Sequence, residues 1–277
     1  MTPYLPLTYL THVKLIASRN VVFLQAHFIR RWLIGALLAV SPLAYSAPMT
    51  SVEVIGSNKL TFLLTFKTAP RVDELVIHAL NVTQQSAVNI DWLSSALFDM
   101  STPYNKKHQV LQALEYQEAL ADEHQKDQWR QLQAELRKRS FARRIFTPLD
   151  PDITRIIPNQ NPRLSGQWLL KLPSWPTTVA VLGNVKRSDQ ITWQPRTDAR
   201  YYLNKLGLID KDTSQVWVIQ SDGHASLHNI AYWNYQFQNI APGATIYVPL
   251  PNKKNTLYPQ LSDVNHAVVD LLRNQQP

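Results

Sequence analysis

The sequence predicts an α+β fold, and three observations along its 277 residues support that class. Apolar and polar residues alternate in short segments of both halves, the pattern of half-buried strands. Between the halves, residues 106–140 contain no Gly or Pro and are rich in Gln, Glu, Lys, Ala and Leu, which favours helices. Near the C terminus, apolar residues recur with the spacing of one helix face.

The first half begins with two strands and a helix. Alternating segments at residues 52–55 and 60–66 flank Gly56-Ser57-Asn58, residues that suit a tight hairpin turn. Apolar residues at positions 72, 75, 76 and 80 then follow Pro70 near helical spacing. The apolar stretch 88–98 around Trp92 predicts another strand, so the order is strand, strand, helix, strand.

Residues 106–140 predict an antiparallel helical hairpin. Val110 and Leu114 mark the first helix, Trp129, Leu132 and Leu136 mark the second, and a polar stretch at 122–127 separates them. A basic cluster at 137–144 follows, and we interpret it as a salt-bridged solvent face because acidic residues accompany it along the hairpin. Prolines at 148, 151, 158 and 162 then indicate a connector between domains.

The second half repeats the strand-rich pattern. Strands are predicted at 167–170, 178–182, 216–219, 226–230 and 245–248, a short helix follows Asp198, and Ser262 or Asp263 caps a last helix. Both halves thus contain two strands, a helix and further strands, which suggests a repeated β-grasp unit. The predicted boundaries are 47–148 for the first domain with the hairpin insert at about 106–140, 149–260 for the second, and 261–277 for the C-terminal amphipathic helix.

Residues 1–46 are predicted to be an N-terminal extension and signal peptide. Arg30 and Arg31 precede the apolar run 32–40, and Ala44-Tyr45-Ser46 offers small residues for cleavage after Ser46. The run is shorter than the roughly 20 residues of a spanning helix, although an uncleaved anchor remains the alternative. We expect no fold in residues 1–27 and a periplasmic mature protein.

Charge and composition exclude several classes. The formal net charge is +8, but residues 1–46 carry four basic and no acidic residues, which leaves 24 basic against 20 acidic residues after cleavage. We therefore expect no nucleic-acid partner. The absence of cysteine excludes disulfides, thiolate metal sites, a cysteine nucleophile and a lipid-modified N-terminal cysteine. The seven glycines are too widely spaced for a phosphate-binding loop, a dinucleotide fingerprint or a nucleophile elbow.

Several segments of the mature chain resemble the periplasmic capsule biosynthesis GfcC family. They are Leu149-Asp150-Pro151-Asp152, Asn161-Pro162-x-Leu164-x-Gly166, the strand 178–183, and the terminal Ser262-Asp263-Val264-Asn265 through Leu272. The resemblance covers about residues 50–277, and we place the 149–183 segments in the second domain. It implies two β-grasp domains similar to those of Wza-type polysaccharide exporters, an inserted helical hairpin, and a role in surface polysaccharide assembly or export.

The resemblance also implies a functionally important arginine just before the Leu-Asp-Pro-Asp segment. The matching position is Arg144, but the residue before it is Arg143 where the family typically has Gly. An arginine at this place can organise two domains through forked hydrogen bonds to carboxylates or carbonyls, or it can bind an acidic sugar or phosphate. A solvated side chain is the third alternative.

Other candidate site residues are acidic or aromatic. Asp150 and Asp152 could form a glycosidase pair, but neighbours around a proline more often begin a helix or turn. His224 and His228 lie on a predicted hairpin, so we predict no metal site there and no cofactor. Trp175 and Trp193 lie near prolines or in connectors, which makes them candidates for stacking on glycan rings.

The sequence therefore predicts a non-enzymatic periplasmic accessory protein of capsule or exopolysaccharide assembly or export. Its expected partners are the polysaccharide secretion machinery at the outer membrane and the surface polysaccharide itself. The alternatives are a polysaccharide-modifying enzyme and a membrane-anchored scaffold. We expect the last helix to pack against the second domain, with conditional release as the alternative.

Overall fold

The computed structural model describes residues 10–16, 49–253 and 263–276, which form two β-sheets and six α-helices. The strands of the first sheet are β1 (Leu10–Ile16), β2 (Thr50–Ile55), β3 (Thr61–Phe66), β4 (Ala96–Asp99), β5 (Arg143–Ile145) and β6 (Gln167–Lys171). Those of the second are β7 (Thr178–Gly183), β8 (Asp189–Thr192), β9 (Gln215–Ile219), β10 (Ala225–Asn229) and β11 (Thr245–Val248). The helices are α1 (Val72–Thr83), α2 (Lys106–Leu120), α3 (Glu123–Arg137), α4 (Pro151–Ile156), α5 (Ala199–Leu206) and α6 (Val264–Leu272).

Both sheets have the strand arrangement of a β-grasp domain. The order is β1-β3-β2-β6-β4-β5 in the first sheet and β10-β9-β11-β7-β8 in the second. Apart from β1, each unit is an antiparallel hairpin, a helix and three more strands, and its last strand lies centrally, parallel to its first. The predicted α+β fold with two tandem β-grasp domains is confirmed.

The second domain begins later than the predicted residue 149. The strand β6 lies in the first sheet, between β2 and β4, so residues 149–171 complete the first domain. Periodicity identifies this strand but cannot identify its partner, because pairing depends on distant residues. The predicted strand around Trp92 also begins only at Ala96, after a short 3-10 turn at Ala87–Asn89.

The structure also corrects the expectation that residues 1–27 have no fold. Strand β1 pairs antiparallel with β3 and extends the first sheet. The backbone of an edge strand offers unpaired N–H and C=O groups, which a neighbouring segment can use. The apolar run, Arg30, Arg31 and the cleavage site after Ser46 lie outside the described residues. Within residues 10–16, 49–253 and 263–276, no helix has the length and apolar character that crossing a bilayer requires.

The helical hairpin is confirmed at α2 and α3, and it packs on the second sheet although it is inserted into the first domain. Its apolar side chains join those of α6 and the sheet residues Leu182, Ile219 and Tyr247 in one buried core. Helix α5 covers the opposite face of this sheet. One core therefore combines an insert of the first domain with the sheet of the second.

Ion pairs cover the outer face of the hairpin. Arg137 pairs with Glu115 at 2.7 Å and Lys138 with Glu135 at 3.0 Å, so the predicted salt-bridged face is confirmed for these two members of the basic cluster. Arg130 pairs with Glu118 at 2.7 Å, which joins α3 to α2. Such exposed pairs contribute little individually, so the buried apolar seam carries most of the hairpin's stability.

The C-terminal helix is more deeply buried than an amphipathic surface helix. The Asp263 carboxylate caps it by accepting from the Asn265 and His266 backbone N–H groups, and seven of its nine residues are buried. It packs against β9, as predicted for the second domain, and also against α2 of the hairpin. After α6 the chain returns to the first domain, where Asn274 O accepts from Ala142 N at 3.1 Å and Gln276 N donates to Ser140 O at 2.8 Å.

Candidate functional site

Arg144 connects the two domains through backbone carbonyls. Its Nη2 donates to Ser95 O, just before β4, at 3.2 Å and to Ser221 O, in the β9–β10 turn, at 3.0 Å. Its backbone N–H donates to Asn274 Oδ1, after α6, at 2.9 Å. This one residue therefore contacts the first domain, the second domain and the C-terminal tail, as expected of an organising arginine.

The Arg144 side chain also lines a cavity of about 460 Å³ at this junction. Phe146 forms part of the wall and is half exposed, and the guanidinium carbons of Arg144 and Arg273 lie 5.6 and 4.7 Å from its ring centroid. Arg273 also donates from Nε to Gly223 O at 2.8 Å. The residues lining the cavity are Trp92, Leu93, Ser95, Arg144, Ile145, Phe146, Thr147, Pro148, Leu149, Asp150, Ile153, Asp222, His224 and Arg273.

Gly223 allows the close approach of the turn to this cavity. Its φ is +85°, a region that L side chains rarely adopt. A Cβ atom at this position would lie 2.5 Å from Phe146 Cε1 and 3.2 Å from Arg144 Nη1. The glycine therefore lets the β9–β10 turn contact both side chains directly.

Charged groups of both signs lie close to Arg144 at the junction. Burial lowers the pKa of Arg144 to about 10, with Asp222 opposing this effect and Arg273 adding to it, so the guanidinium keeps its charge at neutral pH. Burial, together with the nearby Arg144, also lowers the pKa of Lys171 on β6. Within the described residues, the Arg144 guanidinium hydrogen-bonds to two carbonyls and forms no salt bridge. A partly buried guanidinium of this kind can bind an anionic group or hold neutral carbonyls in place.

Arg143 does not share this site. Successive residues of a strand point to opposite faces, and Arg143 pairs with Asp99 in β5–β4 register while its side chain is exposed. Its charge acts on Tyr104, whose pKa burial raises to about 12, with Asp270 adding to the effect and Arg143 opposing it. Of the two candidate arginines, only Arg144 lies in the junction cavity.

Asp150 and Asp152 have local roles at the start of α4. Asp150 is the N-cap and its Oδ1 accepts from the Asp152 backbone N–H at 3.0 Å, while Pro151 occupies the first turn. Asp150 lines the cavity, whereas the Asp152 side chain is exposed. The predicted helix start is confirmed, and one carboxylate of the supposed acid–base pair is occupied as a cap.

The two candidate stacking tryptophans differ in accessibility. Trp175 is 61% exposed in the connector between β6 and β7. Trp193 packs partly buried against the core of the second domain, and its Nε1 donates to Ile240 O at 2.8 Å. This position favours a structural role for Trp193, so Trp175 is the better placed of the two to contact a ligand.

Sequence reasoning missed Arg273, Phe146 and Ser221 as members of the Arg144 site. They come from the end of α6, the segment after β5 and the β9–β10 turn, so only the tertiary fold brings them together. The turn sequence Ser221-Asp222-Gly223-His224 was recognisable as a hairpin. Within the described part of the chain, no group of three or more His, Asp or Glu side chains could hold a metal ion.

Two family models match consecutive parts of the chain, and their division agrees with the sheets. The model of "Capsule biosynthesis GfcC, N-terminal" matches residues 51–173, and that of "Capsule biosynthesis GfcC C-terminal" matches residues 187–277. The segment 149–173 thus falls in the N-terminal model, which agrees with the position of β6 and corrects its placement in the second domain.

A curated protein of Escherichia coli (strain K12), "Uncharacterized protein YjbG", is 36% identical over 103 residues, which cover 37% of this chain and 42% of that protein. The match therefore spans less than half of either protein and supplies no described activity. The two family models together cover most of the chain, in the order of its two β-grasp domains. The chain belongs to the capsule biosynthesis GfcC family.

Proposed function

We propose that this protein is a periplasmic accessory factor in the assembly or export of a capsule or exopolysaccharide, and that it acts by binding partners or glycan rather than by catalysis. The observation that carries the proposal is the match of both GfcC family models to successive domains of the chain. The relationship to capsule biosynthesis is given by the family, and the accessory role and the binding are the proposed steps.

The geometry of the junction supports a binding role. Arg144 holds the two domains and the C-terminal tail around a cavity lined by apolar residues, two arginines, two aspartates and a histidine. Such a cavity, with a few charged groups on apolar walls, is typical of binding sites. In this proposal, the secretion machinery at the outer membrane or the polymer itself binds to the protein surface around this cavity.

The enzyme alternative has little support at its candidate residues. A glycosidase needs two carboxyls on opposite sides of a sugar ring, but Asp150 caps α4 and Asp152 is exposed on that helix's first turn. We therefore expect purified surface polysaccharide to keep its chain length during incubation with the protein. Cleavage that disappears in Asp150→Asn or Asp152→Asn would favour the enzyme.

Deletion of the gene tests the proposed role. The deletion strain should carry less surface polysaccharide, and a plasmid copy of the gene should restore it. A deletion strain with an unchanged amount of surface polysaccharide would contradict the role. Measurement on whole cells is suitable because it works whichever sugar the polymer contains and whichever partner the protein binds.

The N terminus of the exported protein tests the proposed location. We expect mass spectrometry to find a mature chain that begins at Ala47, because Ala44 and Ser46 suit signal cleavage. Cleavage there would also remove β1 and leave β3 as an edge strand. A protein that is found in the membrane fraction and still carries residues 1–46 would instead support the anchored scaffold.

A further inference from the structure

The connection between β10 and β11 exposes several large aromatic side chains. Tyr232 and Trp233 are the central residues of a turn in which Asn234 N donates to Ala231 O at 3.3 Å. Tyr232 is 93% exposed, Trp233 73% and Phe237 51%. We call residues 231–239 the aromatic loop. Several exposed large aromatic side chains within six residues of chain are the kind of feature that marks a binding site.

The composition of the aromatic loop matches an uncharged carbohydrate. Its sequence Tyr232-Trp233-Asn234-Tyr235-Gln236-Phe237-Gln238-Asn239 intersperses aromatic rings with carboxamides, and no Asp, Glu, Lys or Arg occurs between Asp222 and Lys253. Aromatic faces can pack on the C–H faces of sugar rings, and amides supply both donors and acceptors for sugar hydroxyls. Gln236 and Asn239 are exposed and available for that role.

The loop is held in place at its base. The Tyr235 hydroxyl donates to Asp198 Oδ2 at 2.6 Å, and the Arg200 guanidinium lies 4.7 Å from the Tyr235 ring centroid. Asn234 Nδ2 donates to Ser214 O at 3.0 Å. These contacts order the loop before any ligand binds, which lowers the entropic cost of binding.

The aromatic loop is separate from the Arg144 cavity. Asn234 is tied to Ser214, just before the first residue of β9, whereas the cavity reaches Asp222, beyond the last residue of that strand. None of residues 231–239 lines the cavity, although the far end of the loop approaches it, since Asn239 O accepts from Gln220 Nε2 at 3.2 Å. A long polymer could contact both, but each place has its own chemistry.

We propose that the aromatic loop binds an uncharged stretch of a glycan chain, with Tyr232, Trp233 and Phe237 stacking on its sugar rings. The inference rests on the proposed function in polysaccharide assembly and names the surface that contacts the polymer. Tyr235 is a positioning residue, since its ring lies beside Arg200 and its hydroxyl is bound to Asp198.

Titration of the full-length protein with surface polysaccharide from the producing strain tests the inference. Trp233→Ala and Tyr232→Ala should each weaken binding about tenfold, and circular dichroism should show unchanged folding because both side chains are exposed. Val88→Ala is the control, since Val88 is 83% exposed but lies in the first domain, in the 3-10 turn Ala87–Asn89. Its affinity should stay within about twofold of the wild type.

Several results would overturn the inference. They are the absence of saturable binding by the wild type, wild-type affinity in Trp233→Ala, or an equal loss in Val88→Ala. Binding to phosphatidylcholine vesicles that depends on Trp233, without binding to polysaccharide, would assign the loop to a membrane instead. Capture of another protein through Trp233, again without polysaccharide binding, would assign it to a protein partner.

The deletion strain separates this inference from the proposed function. If deletion leaves surface polysaccharide unchanged, the proposed function fails. If deletion lowers it, and Trp233→Ala both restores it and binds polysaccharide like the wild type, only the aromatic-loop inference fails. Reduced restoration by Trp233→Ala, with normal restoration by Val88→Ala, is the expected result.

Discussion

Arg144 holds two domains together through carbonyls and forms no salt bridge within the described part of the chain. Its partners are the carbonyls of Ser95 and Ser221, and its backbone binds the side chain of Asn274. Burial partly desolvates the guanidinium and so lowers the pKa of Arg144. The buried charge therefore depends on these acceptors. The resemblance to the family identifies the residue, but not the three segments that it connects.

Replacement of Arg144 should destabilise the protein, whereas replacement of Arg143 should not. Arg144→Ala removes the donor to two carbonyls at the domain junction, and we expect the free energy of unfolding to fall by about 1–3 kcal/mol. Arg143→Ala alters an exposed side chain and should change it by less than about 0.5 kcal/mol. Urea denaturation of the two variants makes the comparison, and equal stabilities would contradict this role of Arg144.

His228 should make stability depend on pH. Burial lowers its pKa below the unfolded value of 6.5, although Asp198 opposes the shift. The unfolded chain then binds the proton at a higher pH than the folded chain does. The stabilisation is therefore complete above pH 6.5 and decreases as the pH falls from there towards the folded pKa.

The test compares urea midpoints at pH 7.5 and pH 5 in His228→Gln, His224→Gln and the wild type. The midpoint should fall less on acidification in His228→Gln than in the wild type. His224 is exposed, so His224→Gln should behave like the wild type. The same fall in midpoint in all three proteins would show that His228 does not contribute to the pH dependence.

The C-terminal helix α6 is an internal part of the fold. Val264, Val268 and Leu271 are fully buried in the core shared with α2, α3 and the second sheet. The apolar spacing predicts the helix and its packing on the second domain. Its contact with the inserted hairpin was not predictable, since periodicity reveals an apolar face but not the surface that covers it.

Truncation of Leu271 measures how strongly α6 contributes. Leu271→Ala removes a fully buried side chain and should lower the free energy of unfolding by about 2–5 kcal/mol. His266→Ala, on the exposed side of the same helix, is the control and should have a much smaller effect. A small effect of Leu271→Ala on the free energy of unfolding would instead favour a helix that is easily released from the rest of the fold.

Strand β6 shows that a sequence pattern can predict a strand without predicting the sheet to which it belongs. Its apolar pattern predicts a strand, and its position in the chain favours β7 as the neighbour across a Pro-containing turn. In the structure β6 pairs with β2 and β4 and completes the first sheet, while β7 begins the second. The β-grasp order itself explains this, since the last strand of each unit inserts between its first and third.

The two domains share structure in three ways. The hairpin of the first domain packs on the second sheet, the C-terminal tail pairs with residues 140–142 beside β5, and Arg144 bridges the domains. Two domains with so much shared structure should not unfold independently.

Unfolding should therefore be a single transition. We expect urea curves followed by tryptophan fluorescence and by far-ultraviolet circular dichroism to coincide, because the buried core of α2, α3 and α6 belongs to both domains. Two separated transitions would show that each β-grasp domain is stable alone, and would argue against a core that joins the two domains.

The amount of surface polysaccharide in the deletion strain shows whether the junction held by Arg144 supports polysaccharide assembly or export, as we claim. The strain would carry the wild type, Arg144→Ala or Arg143→Ala, at equal amounts of folded protein. The wild type and Arg143→Ala should restore surface polysaccharide, and Arg144→Ala should restore much less. Full restoration by Arg144→Ala, or a deletion strain with unchanged polysaccharide, would contradict the claim.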